Sequence, residues 1–224
     1  MKKTDWDQYY ERPYRTAHLS RSITAGNLLN YMKMGMRDYP VEFPVITEIG
    51  GANSCFFEAI YDSLKPKKYQ IIDSNEQGLR KFSQRIRPDR LSRTTLINND
   101  VLKINEITSL VEQQADCQLS DIVFSVGLVE HFSPKDTALA IKSHFHLAKP
   151  GGLVIISAPT PTFLYKVARY LAEMAGAWIF HDERPLAVSE LVSEMELSGE
   201  ILDRKIIWPI VFTQAMVAAR KAKQ

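Results

Sequence analysis

Cysteine is scarce in this chain, with two residues among 224: Cys55, at a predicted helix start, and Cys117, in a predicted loop. So few thiols favour a reducing compartment over a disulfide framework, and no second pair indicates a metal site. Excess charge is also lacking, because 28 basic residues nearly balance 26 acidic ones and leave a net charge of +2. That balance argues against a strong electrostatic attraction to nucleic acid, so no nucleic-acid partner is expected.

Long apolar runs are missing as well. No run approaches the roughly 20 residues that span a bilayer, and residues 1–6 are not followed by the apolar core of a signal peptide. We therefore predict a cytoplasmic protein without a transmembrane segment. Repeats, low-complexity tracts and long linkers are absent from the sequence, and 45% of the residues are hydrophobic. These features predict a single domain over residues 1–224 with a sizeable core.

The most informative segment is VITEIGGANS, at residues 45–54. An apolar run bounded by glycines is typical of a parallel strand that is buried on both faces. Gly50 and Gly51 permit a tight turn, and the helix after it directs unpaired N–H groups towards the turn. Nucleotide-like ligands bind at such a turn in open α/β sheets. Glu48 would repel a pyrophosphate and suits a cationic or hydroxylated ligand better.

Strand and helix patterns alternate from residue 69 onwards. Further strands are predicted at 69–73, 94–98, 121–126, 153–157, 203–208 and 212–219, and helices at 75–85, 105–114, 134–148 and 189–197. Ser74 is a candidate N-cap for the first of these helices. The alternation predicts a three-layer, doubly wound α/β fold with a mostly parallel seven-stranded sheet and right-handed crossovers.

Two segments fall outside this alternation. An N-terminal helical cap is predicted over about residues 1–40, where Tyr9, Tyr10 and Tyr14 are candidates for contact with a ligand. An apolar insert is predicted over about residues 161–185. The interpretation that its composition favours is a packed cap over the site. A substrate-facing lid and a peripheral membrane contact are the alternatives.

Five segments in order carry a resemblance to a known family. They are Glu48-Ile49-Gly50-Gly51, Ile72-Asp73, Asn99-Asp100, Ser125 to Phe132, and Lys149-Pro150-Gly151-Gly152-Leu153. Together they resemble the class I S-adenosylmethionine-dependent methyltransferases, whose fold is Rossmann-like. The chain departs from the family's glycine-rich turn, because Ala52 and Ser54 stand where the family usually has its second and third glycines.

The resemblance implies a site for S-adenosylmethionine. Asp73 would bind the ribose hydroxyls, Glu48 the cationic methionine end, and Asp100 the adenine amino group. The remaining implied cofactor-binding residues are Gly50, Gly51, Asn53, Ser74, Val101, Val126 and Gly127. No metal ligands are expected.

The resemblance further implies methyl transfer to an oxygen or nitrogen atom, with His131 or His181 as candidate base. We expect a small molecule or a glycan precursor as the acceptor. The segments YYERPYR and HDERPL are weakly similar to bacterial methyltransferases of surface polysaccharide synthesis. Two alternatives remain: a non-catalytic relative that binds the cofactor, and a nicotinamide-dependent oxidoreductase, although its G-x-G-x-x-G fingerprint is absent. The sequence does not indicate the oligomeric state.

Overall fold

A computed structural model describes residues 3–11, 18–112, 117–209 and 212–223. Within these ranges seven strands form one sheet: β1 Val45–Ile49, β2 Lys68–Asp73, β3 Thr94–Asn98, β4 Ser120–Val126, β5 Ala148–Pro159, β6 Gly199–Ile207 and β7 Gln214–Lys221. The strand order is β3-β2-β1-β4-β5-β7-β6. β1 to β5 are parallel, and β7 is antiparallel to β5 and β6. The predicted fold class is therefore confirmed.

Helices pack on both faces of the sheet. They are α1 Trp6–Glu11, α2 His18–Asp38, α3 Phe57–Leu64, α4 Glu76–Arg85, α5 Pro88–Leu91, α6 Ile104–Glu112, α7 Pro134–Leu147, α8 Phe163–Met174 and α9 Val188–Glu196, with a 3-10 turn at Val129–His131. Part of the predicted helix 105–114 and Tyr14 lie outside the described residues. In the described ranges, no helix combines the length and the apolar character needed to cross a bilayer.

The core has two halves because the central strands are buried on both faces. Ile46, Ile71, Ile122 and Ile155 belong to one half, and Ile49, Ile72, Val123 and Val154 belong to the other. Burial on both faces explains why these strands are nearly continuous apolar runs in the sequence. It also fixes the carboxyl ends of β1, β2 and β4 at one edge of the sheet, where ligands bind in such folds.

The last three strands depart from their predicted bounds. β5 begins at Ala148, five residues before the predicted start at Leu153, because Ala148 pairs with Ser120 of β4. A register shift after Ser120 accommodates the segment 149–152, whose proline and glycines favour a turn when read locally. The antiparallel pairing of β6 with β7 likewise sets the ends of both strands.

The predicted helix starts require two corrections. Asn75, not Ser74, is the N-cap of α4, and its Oδ1 accepts a hydrogen bond of 2.6 Å from the Gly78 amide. The helix after the first turn begins at Phe57, so Cys55 lies in the turn and not at the helix start. Ser74 and Cys55 each lie two positions before the first residue of their helix. At this distance the sequence pattern does not define where the helix begins.

The insert forms α8, and most of its apolar side chains are exposed. The exposed fractions are 84% for Phe163, 61% for Tyr170 and 70% for Met174, whereas Tyr165 is buried. The interpretation as a packed cap is therefore wrong for this helix, because its apolar stripe faces away from the core. By contrast, Leu191 and Met195 of α9 are buried in the core.

Candidate functional site

A cavity of about 330 Å³ opens at the carboxyl ends of β1 and β4. This volume lies at the lower end of the range of small-molecule sites, about 300–1,000 Å³. Of the residues predicted for the site, those that line it are Glu48, Gly50, Gly51, Asn53, Val126, Gly127 and His131. The sheet therefore brings together the predicted residues that follow β1 and β4.

The turn after β1 holds its backbone close to the Glu48 carboxylate. Gly50 has a φ of +75°, in the left-handed region that glycine adopts without strain. A Cβ at Gly51 would lie 2.7 Å from the Glu48 side chain, so that position has no room for a larger residue without a shift. The turn thus leaves open backbone facing the cavity beside a buried acid.

Glu48 is buried, and its Oε2 accepts a hydrogen bond of 2.7 Å from the Tyr69 hydroxyl. Burial, aided by the charge of Asp73, raises the pKa of Glu48 to about 7, although hydrogen bonds from Tyr69 and Ser54 oppose the shift. The ionised form of such a buried carboxyl group is stabilised by a cationic ligand group.

The non-glycine residues of the turn have structural roles. Ser54 Oγ accepts hydrogen bonds from the amides of Phe56 and Phe57, at 3.1 and 3.0 Å, and so supports the start of α3. Ala52 is buried and lies so close to Gly78 that a Cβ there would be 2.6 Å from the Ala52 Cβ. The departure from three spaced glycines is therefore accommodated by packing between the turn and α4.

Asp73 lies at the end of β2 and contacts the same turn. Its Oδ2 accepts from the Ala52 amide at 2.9 Å and its Oδ1 from the Asn75 amide at 2.8 Å. Burial raises the pKa of Asp73, whereas these backbone hydrogen bonds oppose the shift. Each carboxylate oxygen retains a second lone pair, so the side chain is oriented by the turn and can still accept a hydrogen bond from a ligand hydroxyl.

Five of the predicted residues do not line the cavity: Asp73, Ser74, Asp100, Val101 and His181. Asp100 Oδ1 accepts from the Leu102 amide at 2.9 Å, and the buried Val101 accepts from Ser143 Oγ through its carbonyl. The residues predicted on the adenosine side thus lie at the ends of β2 and β3, beyond the open part of the site.

α1 contacts α4 close to the end of β2. Asn75 Nδ2 donates to Asp7 Oδ1 at 2.7 Å, and Lys81 Nζ donates to the Tyr10 carbonyl at 3.0 Å. Tyr9 and Tyr10 line the cavity, and Trp6 packs edge-on to His131 with ring centroids 4.9 Å apart. The N-terminal helix therefore covers the edge of the sheet from the end of β2 to the end of β4.

The segment after β4 supplies a buried acid and a histidine. Glu130 is 1% exposed, and its Oε2 has no hydrogen-bond partner in the described part of the chain. Burial and the neighbouring Glu183 raise the pKa of Glu130 well above its usual range. His131 Nδ1 lies 3.0 Å from Asp182 Oδ1. Burial lowers the pKa of His131, and Asp182 opposes that shift.

The segment HDERP presents its acids, not its histidine, to this region. His181 is exposed and does not line the cavity, whereas Glu183 is buried, lines it and accepts a hydrogen bond from the Tyr165 hydroxyl. Burial raises the pKa of Glu183 to about 7. The sequence prediction selected His181 from the segment 181–185 and named neither Glu183 nor Tyr165 as a site residue, although Glu183 lies only two positions after His181.

Comparison with known proteins gives a consistent likeness of fold. No protein-family model and no curated protein matches the chain. Among solved structures, the N-methyltransferase NodS of Bradyrhizobium japonicum WM9, crystallised with S-adenosyl-L-homocysteine, is 14% identical with a TM-score of 0.65, covering 96% of this chain and 97% of NodS.

Two further structures agree with this likeness. Magnesium protoporphyrin IX methyltransferase ChlM of Synechocystis PCC 6803 is 11% identical with a TM-score of 0.63, covering 97% of this chain and 93% of its own. A putative methyltransferase of Bacillus halodurans C-125 is 12% identical with a TM-score of 0.63, covering 88% and 99%. At these identities the likeness concerns the fold.

Proposed function

We propose that this chain, which has the fold of the class I S-adenosylmethionine-dependent methyltransferases, binds S-adenosylmethionine and transfers its methyl group to an acceptor. The observation that carries the proposal is the turn after β1. There Gly50 and Gly51 bring open backbone beside the buried Glu48, at the mouth of a cavity of about 330 Å³.

The residues at this edge fit the chemical groups of the cofactor. Glu48 would pair with the ammonium of the methionine part, and the two-oxygen face of Asp73 suits a ribose diol. Ser74, Asp100 and Val101 would lie along the adenine side, and Asn53, Val126 and Gly127 along the methionine side. When bound, the cofactor supplies a methyl group activated by its sulfonium.

The chain would hold the acceptor in position and exclude water from the site. Trp6, Tyr9 and Phe180 line the cavity near His131. The centroid of the Phe180 ring lies 6.1 Å from that of Trp6 and 5.6 Å from that of Tyr9. Aromatic walls exclude water and hold an acceptor against the methyl donor, which is where most of the rate advantage of such a transfer arises. We propose His131, held by Asp182, as the group that receives the acceptor's proton.

The proposed acceptor is an oxygen or nitrogen atom of a small molecule or a glycan precursor. The cavity of about 330 Å³ suits a small group, and the net charge of +2 argues against a strong electrostatic attraction to nucleic acid. The exposed apolar face of α8 would suit a lipid-linked acceptor or a peripheral membrane contact. The two free cysteines are consistent with a cytoplasmic setting.

Calorimetric titration with S-adenosylhomocysteine tests the cofactor site. We expect micromolar binding to the wild-type chain and at least tenfold weaker binding to Asp73→Ala, because the ribose hydroxyls lose their acceptor. His146→Ala, at an exposed position on α7, is the control and should bind like the wild type.

NADH in the same titration separates the alternatives. Binding of NADH without S-adenosylhomocysteine would favour an oxidoreductase and overturn the proposal. Unchanged affinity in Asp73→Ala would show that the ribose assignment is wrong. Cofactor binding without methyl transfer to any acceptor class screened would favour the non-catalytic relative.

A further inference from the structure

Three side chains from two segments that are distant in sequence converge at one wall of the cavity: Glu130 and His131, which are consecutive, and Glu183. Glu130, His131 and Glu183 each offer a ligand atom, and these atoms lie within 4.8 Å of one another. All three residues line the cavity. The cluster joins the segment after β4 to the loop that follows α8.

The Glu130 side chain is buried and incompletely hydrogen-bonded within the described part of the chain. Its Oε2 has no hydrogen-bond partner among the described residues, and the Nε2 of His131 is 3.9 Å from its Oε1. Glu183 is better satisfied, because the Tyr165 hydroxyl donates to it and Arg169 Nη1 lies 3.7 Å from its Oε1. Two adjacent buried carboxylates are unfavourable unless a proton or a cation lies between them.

His131 is oriented as metal-binding histidines are. Its Nδ1 lies 3.0 Å from Asp182 Oδ1, so a proton on Nδ1 would be donated to that carboxylate. In this tautomer Nε2 carries the free lone pair, and this atom lies 3.9 Å from Glu130 Oε1. Carboxylate–histidine pairs of this kind fix the ring and the tautomer of histidine ligands to metals.

We propose that Glu130, His131 and Glu183 bind one divalent cation at this wall of the cavity. Ligands on opposite sides of such an ion are about 4 Å apart at bond lengths of 2.0–2.2 Å. A small rotation of the side chains therefore closes the present cluster around an ion. Two carboxylates and one imidazole suit Mn²⁺ or Zn²⁺ better than Ca²⁺.

The role of the ion, but not its binding, rests on the proposed function. At this wall the ion would hold an oxygen of the acceptor beside the methyl donor. An ion would occupy the lone pair of His131 Nε2, so the proton-accepting role proposed above for His131 belongs to the chain without the ion. Metal binding can be measured without the cofactor, so the two proposals fail separately.

The test is a Mn²⁺ titration of the tag-free, chelator-treated chain, followed by the electron paramagnetic resonance signal of free Mn²⁺. We expect one Mn²⁺ per chain, with affinity at least tenfold lower in Glu130→Gln and in His131→Gln. Glu196→Gln, at an exposed position on α9, is the matched control and should bind like the wild type. Displacement of Mn²⁺ by one Zn²⁺ per chain would support a ligand set of two carboxylates and one imidazole.

Each variant is also titrated with S-adenosylhomocysteine and unfolded thermally. A folded Glu130→Gln chain that retains Mn²⁺ affinity would overturn the inference, as would the absence of saturable binding to the wild type up to millimolar Mn²⁺. Binding of benzylammonium in place of Mn²⁺ would assign the carboxylates to an organic cation and equally overturn it. Mn²⁺ binding without S-adenosylhomocysteine binding would leave the ion site standing and remove the proposed function.

Discussion

At the scale of single residues, the unusual feature of this molecule is its buried acids. Glu48, Glu130 and Glu183 are at most 9% exposed, and all three line one cavity. Burial raises the pKa of each, because the ionised form of a carboxyl group is unfavourable away from water. Groups of this kind concentrate at functional sites, where a ligand or an ion offsets the cost.

Glu48→Gln should stabilise the ligand-free chain at high pH. The pKa of Glu48 is about 7 in the folded chain and near 4.5 when unfolded, so the folded state binds more protons in this window and stability falls as pH rises through it. The substitution should raise the free energy of unfolding by up to about 3 kcal/mol at pH 8 and change it little at pH 4. Urea unfolding at both pH values measures this difference.

The same variant should bind S-adenosylhomocysteine more weakly, because the amino group of the ligand loses its carboxylate partner. A stability change that is equal at pH 4 and pH 8 would contradict the assignment of the raised pKa to Glu48. Glu196→Gln serves as the exposed control.

At the scale of elements, α4 links the turn after β1 to the N-terminal helix. Its N-cap, Asn75, accepts a hydrogen bond from the Gly78 amide and donates one to Asp7 of α1. Gly78 has no room for a Cβ, which would lie 2.6 Å from Ala52 and 3.0 Å from Tyr10. The start of α4 therefore positions both the turn and α1.

Asn75→Ala should lower the free energy of unfolding by about 1 kcal/mol, the usual value of an N-cap. Asp7→Ala removes only the exposed contact with α1 and should cost less than about 0.5 kcal/mol. Urea unfolding of both variants compares the two contributions. An equal loss in the two variants would show that the contact with α1, and not the cap, accounts for the stability.

At the scale of the whole molecule, a buried histidine ties a helix to the centre of the sheet. His144 of α7 is fully buried, with Nδ1 2.7 Å from the Ala140 carbonyl and Nε2 2.8 Å from Ser125 Oγ of β4. Burial lowers the pKa of His144 to about 4. The unfolded chain therefore binds more protons between pH 4 and 6.5, and this histidine makes stability rise with pH in that range.

Between about pH 4.5 and 6.5, Glu48 should make the free energy of unfolding of the wild type fall as pH rises, whereas His144 should make it rise. His144→Gln should cost about 1–3 kcal/mol at pH 7, because Ser125 and Ala140 lose a buried partner. The cost should shrink as pH falls from 6.5 to 4, since the variant has no imidazole to protonate. Unfolding free energies across this range test it, with the exposed His146→Gln as control. A cost independent of pH would contradict the lowered pKa.

Local pattern was enough for the sheet and for the turn after β1. Strands that are buried on both faces are nearly continuous apolar runs, and such a run can be recognised from its own segment alone. The glycine pair after Glu48 and the acid at the end of β2 are equally local signals. The resemblance extended these signals to Asp100 and Val101, whose contact with a cofactor stays a prediction.

The tertiary structure alone decided how distant segments meet. His131 and Asp182 are 51 positions apart and lie in segments without periodicity, so no local rule predicts their hydrogen bond or the outward position of His181. The long β5 and the packing of α1 against α4 likewise depend on strand and helix neighbours that are remote in sequence. Spacing along the chain encodes which face of an element is buried, whereas contacts between elements depend on how all of them pack at once. The sequence by itself therefore determined the sheet and the glycine turn after β1, and only packing brought Glu183 to the wall that Glu130 and His131 form.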